Sequence, residues 1–91
     1  MTVVINDCFG GFRIPDEICD KLGVDTFDDI KRDNPTLVNF VMSHGGRYGK
    51  PGDCTQLVAK TLPDETTDWQ VFEYDGLETL IYVVDGKIHT A

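Results

Sequence analysis

The first fifteen residues of the chain constrain its fold more than any other stretch. They compress a strand, a glycine-bearing loop and a helix start into one run. Thr2 to Ile5 is short, apolar and rich in β-branched residues, which suits a strand buried on both faces. Asn6 and Asp7 end that run. Gly10 and Gly11 follow between Phe9 and Phe12, and Pro15 stands where a first helical residue belongs. Asp16 and Glu17 then favour the positive end of a helix dipole. Ile14, Ile18 and Leu22 recur every fourth residue beside Cys19, so the helix presents one apolar stripe, and Gly23 is a fitting stop.

A single turn of helix is expected over residues 25–30, with Phe27 and Ile30 pointing inward. Asn34-Pro35 supplies the cap and first-turn proline of a second helix that carries Leu37, Val38 and Val41 on one face. Phe40 and Met42 widen its apolar arc, and Gly45-Gly46 terminate it. Residues 47–53 hold three turn formers and are expected to form a loop without regular structure. From Cys54 the pattern changes from helical to alternating. Residues 54–62, 69–74 and 77–84 are expected strands. Asp75-Gly76 joins the last two as a tight hairpin, and Asp85-Gly86 predicts a short return over Lys87-Ile88-His89. Trp69, Val71 and Glu73 share one face of their strand, with Phe72 and Tyr74 on the other.

This order predicts a single α+β domain over residues 1–91: a mainly antiparallel sheet of about four strands with two helices packed on one face. The first strand is placed inside that sheet, because its apolar run would be costly at an edge.

Charge divides the chain more sharply than composition does. The net charge is −8, spread as −4 over residues 1–34, +2 over residues 35–62 and −6 over residues 63–91. Such a surface argues against direct binding to nucleic acid. Cys8, Cys19 and Cys54 are odd in number and widely spaced, as expected of reduced thiols rather than a disulfide framework. His44 and His89 sit on separate elements, so neither a metal nor another cofactor is expected. Without an apolar run of membrane-spanning length or a signal-like N-terminus, the expected location is the cytoplasm.

Two loops are candidates for ligand binding. Gly10 and Gly11, with Arg13 as a bidentate donor, resemble an anion-binding helix start. Two adjacent glycines more often make a sharp turn, here one that brings Phe9 and Phe12 to the core. The second loop is Gly45, Gly46, Arg47, Tyr48 and Lys50, which offers backbone amides, two cations and an aromatic ring able to stack on a base. A third candidate is a partner-binding acidic surface made of Asp64, Glu65, Asp68, Glu73, Asp75 and Glu78. For catalysis, Cys8 with His44 or His89 is the one nucleophile–base pairing the sequence offers. No third orienting residue accompanies it, so an enzyme is not expected.

Residues 3–12, Val-Val-Ile-Asn-Asp-Cys-Phe-Gly-Gly-Phe, resemble the opening of a family of small bacteriophage and prophage proteins. The resemblance extends to residues 32–38, to Leu62-Pro63-Asp64, to residues 68–71 and to residues 73–78. Arg13-Ile14-Pro15 departs from the family, whose loop usually continues with glycine and a serine-like helix cap. Residues 45–52 are also more glycine-rich and more basic here. The resemblance implies an accessory protein in a viral setting and carries over no catalytic residues. Combined with the loops, it predicts a protein that counteracts host antiviral defence by sequestering a phosphorylated, nucleotide-like signal in a homo-oligomer. The alternative is an acidic inhibitor that occupies the nucleic-acid site of a host nuclease or effector, as acidic anti-CRISPR proteins do.

Overall fold

Val3, Val4, Ile5 and Asn6 are all buried, and the molecule is layered around them. They belong to β1, Thr2–Asn6, in a computed structural model that describes residues 1–8, 16–23, 31–49 and 56–91. The other elements are α1 (Asp16–Leu22), α2 (Pro35–Ser43), β2 (Arg47–Tyr48), β3 (Leu57–Thr61), β4 (Asp68–Tyr74), β5 (Leu77–Val84) and β6 (Lys87–Thr90).

Alternation along β1 sends its side chains to two separate cores. Val4 packs with Ile18 of α1, Leu37 and Val41 of α2, and Leu57 of β3. Val3 and Ile5 face the other way, onto Leu62, Leu80 and the partly buried Trp69, Val71 and Tyr82. The helices thus cover one face of the first sheet, and β4 and β5 cover the other.

The α+β class and the antiparallel pairing match expectation, but the strands divide between two three-stranded sheets rather than forming one of about four. One sheet has the order β1-β3-β2 and the other the order β4-β5-β6. β1 therefore lies at a sheet edge, not inside. Its burial comes from the layers above and below, and its open edge is covered by other groups. The Val4 amide donates to the Arg32 carbonyl at 2.8 Å, and the Asn6 amide donates to the Glu78 carboxylate at 2.7 Å.

Local signals explain the boundaries. Asn34 Oδ1 accepts from the amides of Thr36 and Leu37, capping α2 as its position before Pro35 implies. At the far end the Gly45 amide donates to the Met42 carbonyl and the Gly46 amide to the Val41 carbonyl, a Schellman closure. Both glycines have positive φ, 82° and 85°. Asp75 and Gly76 (φ 53° and 89°) and Asp85 and Gly86 (φ 52° and 74°) make the two tight hairpin turns.

Residues 47 and 48 depart from the expected loop. The Schellman reversal directs the chain back along β3, where Arg47 pairs with Val58 and Tyr48 with Leu57. The turn formers that argued against a strand come after these two residues. The expected helical turn at residues 25–30, the Gly10-Gly11 loop with Arg13, and Lys50 and Cys54 lie outside the described residues. Among those described, no helix is long and apolar enough to cross a membrane.

Candidate functional site

The second glycine loop is built differently from an anion cradle. Its Gly45 and Gly46 amides are already spent on Met42 and Val41, and the Gly46 carbonyl accepts from Ala59. These groups also sit at the C-terminal end of α2, where the negative end of the helix dipole disfavours an anion. Arg47 and Tyr48, as successive strand residues, point to opposite faces. Tyr48 packs edge-on against Phe40 and His44, with ring centroids 4.8 and 4.9 Å away. Arg47 turns to the other side and bonds Asp7 at 3.1 Å. Among the described residues of this loop, the two glycine amides are occupied and Arg47 and Tyr48 lie on opposite faces, so they do not converge on one ligand; Lys50, the second cation of the expected site, lies outside the described residues.

The two histidines have local roles. His44 Nδ1 lies 2.8 Å from the Phe40 carbonyl, and since a carbonyl only accepts, that nitrogen carries the proton. His89 stacks on Tyr82 with centroids 5.2 Å apart. Cys8 and Cys19 are half-buried and neither is in a disulfide. The Cys8 carbonyl accepts from Asn6 Nδ2, which also reaches the Gly76 carbonyl, so Cys8 lies at the β4–β5 turn. His89 is opposite Tyr82, about 20 Å further along β5 at the usual strand rise. That pairing cannot act as nucleophile and base.

The acidic residues divide as well. Glu78 is buried: Arg32 grips it through two nitrogens, and its Oε1 also accepts from the Asn6 amide. It holds the two sheets together and is not a partner-binding residue. Glu73 is exposed and accepts from the Gly76 amide at 2.7 Å, bracing the turn. Asp64, Glu65, Asp68 and Asp75 are all exposed.

Asp68 and Asp75 border the outer face of β4-β5-β6. Strand register places Phe72, Tyr74, Leu77, Ile81, Val83 and Ile88 together on it, because their neighbours of opposite parity face the inner core. Phe72 is 53% exposed, Tyr74 79% and Ile88 70%. A groove of about 100 Å³ runs between Gln70, Ile81, Val83 and Ile88, with Asp68 and Trp69 at its end. Asp75 lies at one end of the face, in the β4–β5 turn, while Asp68 and Asp85 lie at the other. The acids were visible in the sequence as a run of charge, but this apolar centre was not identified as a surface. Its signal was available: β4 and β5 carry large apolar residues in both phases of their alternation, more than one core face can take. The chain matches no known protein family, no curated protein and no solved structure.

Proposed function

We propose that this chain is a binding protein rather than an enzyme, and that it lays the outer face of β4-β5-β6 on a basic surface of another protein. The observation that carries this reading is the exposure of Phe72, Tyr74 and Ile88 on one rigid sheet face with acids at both ends. Covering such side chains removes apolar area from water, and buried aromatic residues dominate interface energetics. The acidic rim selects the partner by charge, since it repels acids and attracts a surface rich in lysine and arginine. A second copy of the chain would bring like-charged rims together, so the expected homo-oligomer is not proposed through this face.

The bacteriophage resemblance supplies the setting: a cytoplasmic accessory protein that counteracts host defence by occupying the basic site of a nuclease or effector. Affinity capture from host lysate, comparing the wild type with a Phe72→Ser, Ile88→Ser variant, tests it. A protein retained by the wild type, released by moderate salt and lost with the variant supports the reading. Equal capture by both forms overturns it. Sequestration of a phosphorylated ligand on Gly10, Gly11 and Arg13 is a separate proposal, tested by calorimetry against cyclic and linear nucleotides with an Arg13→Ala control.

A further inference from the structure

The two three-stranded sheets have four edges, and among the described residues three of these are capped, charged or cut short. At β1 the Arg32 carbonyl and the Glu78 carboxylate take the outward amides of Val4 and Asn6. β2 is two residues long. On β4 the Asp68 side chain takes the Trp69 amide at 2.8 Å, and Asp68 and Glu73 charge the strand. β6 is the fourth edge, and its residues Lys87, Ile88, His89 and Thr90 are all exposed. The ladder to β5 fixes which of their backbone groups face outward. The Ala91 amide donates to the Leu80 carbonyl at 2.9 Å, so Leu80 and Ala91 form a hydrogen-bonded pair. Alternation along an antiparallel ladder makes Tyr82–His89 and Val84–Lys87 hydrogen-bonded pairs as well. The amides and carbonyls of Ile88 and Thr90 therefore point away from β5, and among the described residues no group bonds them.

We propose that this edge pairs with the same edge of a second copy of the chain, antiparallel about a two-fold axis between the two His89 residues. Ile88 then exchanges both backbone bonds with Thr90 of the second copy, and Thr90 does the same with its Ile88. Every outward backbone group of these residues gains a partner. Such an isologous pairing closes on itself and leaves β6 with no open edge. Charge favours β6 over β4 for this contact. β6 carries Lys87 and no acid, in a chain of net charge −8, and the pairing sets Lys87 opposite Ala91. Asp85 is the nearest acid in sequence. Its two copies stand roughly 27 Å apart along the paired strands, beyond the reach of exposed charges at physiological salt. Self-pairing of β4 about Val71 would instead bring Asp68 of one copy beside Glu73 and Asp75 of the other. Apolar contact adds to the backbone bonds. Ile88 is 70% exposed, and it lies diagonal to Ile88 of the second copy. That diagonal spans about 7–8 Å, short enough for long side chains to meet. The pairing uses the edge of the second sheet and leaves its outer face open, so it holds whether or not that face binds a partner. Where the face does bind one, the two copies offer it as a single six-stranded surface.

Sedimentation of the full chain from about 10 μM to about 1 mM is expected to reach, at the upper end, twice the 10.2 kDa mass of one chain. Amide exchange followed by NMR on the wild type locates the contact. Ile88 and Thr90 should exchange at least about tenfold more slowly in the associated form. Val71 and Glu73 should keep their monomer rates, since they face outward on β4: Leu80, opposite Val71, bonds toward β6. Thr90→Pro removes an outward N–H without touching the amides that bond β5, and an edge strand accepts proline at such a position. It is expected to weaken the dimer at least about tenfold, while Thr90→Val, which keeps the N–H, stays within about threefold of wild type. A mass of one chain over the whole range, unchanged self-association of Thr90→Pro, or protection of other amides in place of Ile88 and Thr90 overturns the pairing. A single-chain mass together with partner capture that depends on Phe72 removes the pairing and leaves the surface reading intact.

Discussion

Arg32 and Glu78, 46 residues apart, meet in a two-pronged ion pair with nitrogen–oxygen distances of 2.5 and 2.6 Å. The Glu78 side chain is 5% exposed and that of Arg32 24%, so water competes little for the bond. Arg32 lies just before α2 and Glu78 in β5, while Glu78 also accepts the Asn6 amide at the open edge of β1. One carboxylate thus ties together the helical layer, the first sheet and the second.

Removing that carboxylate takes a two-pronged acceptor from the Arg32 guanidinium and leaves the buried Asn6 amide without its bond. Glu78→Ala is expected to destabilise the fold by about 3 kcal/mol or more, in the range for breaking one side of a buried pair. Glu78→Gln keeps an acceptor for Asn6 and is expected to lose less. Urea unfolding followed by circular dichroism checks both, and wild-type stability in Glu78→Ala would contradict the assigned role. Charge reversal at Glu78 therefore probes folding, not partner recognition.

Asn6 is the second half of the same junction. Its Nδ2 donates to the carbonyls of Cys8 and Gly76, and its Oδ1 accepts from the Gln56 amide, so both polar atoms of the side chain are bonded. Asn6→Asp removes both donors and sets a buried carboxylate against two carbonyls. It is expected to cost about 3 kcal/mol, more than Asn6→Ala, because the Gln56 amide alone does not offset a buried charge set against two carbonyls. The urea midpoint of each variant decides the order.

These two residues also show where the sequence is legible and where it is not. Asn34-Pro35, Gly45-Gly46, Asp75-Gly76 and Asp85-Gly86 act through their immediate neighbours, and each makes the cap or turn its composition implies. Sheet partition depends on contacts such as Asn6 with Glu78, which lie 72 residues apart, and no local pattern encodes them. Glu78 did leave a trace. It shares the strand parity of Leu80, which is buried, so an acid on that face calls for a cation. Arg47 and Tyr48 left the opposite trace: their adjacency suggested a shared site, yet a strand turns adjacent residues apart.

The cap of α2 offers a milder test. Asn34→Ala deprives the Thr36 and Leu37 amides of their acceptor and is expected to cost about 1 kcal/mol. At this chain length that lowers the thermal midpoint by about 4–8 °C. Asn34→Asp and Asn34→Ser keep an acceptor and should remain close to wild type in a thermal melt.

The outer face of the second sheet calls for a variant whose stability and function separate. Phe72 and Ile88 are already largely exposed, so their replacement by serine removes little buried area and leaves no cavity. Phe72→Ser with Ile88→Ser is therefore expected to shift stability by no more than about 1 kcal/mol, with some loss from reduced strand propensity. Partner capture should nevertheless disappear, because the apolar centre and not the rim supplies most of the contact energy. Asp75→Asn keeps the turn residue's tolerance for positive φ and is expected to slow association and reduce its salt dependence without abolishing it. Surface plasmon resonance on the captured partner separates the two effects. Serine variants that bind at the wild-type rate and lifetime would move the interface away from this face.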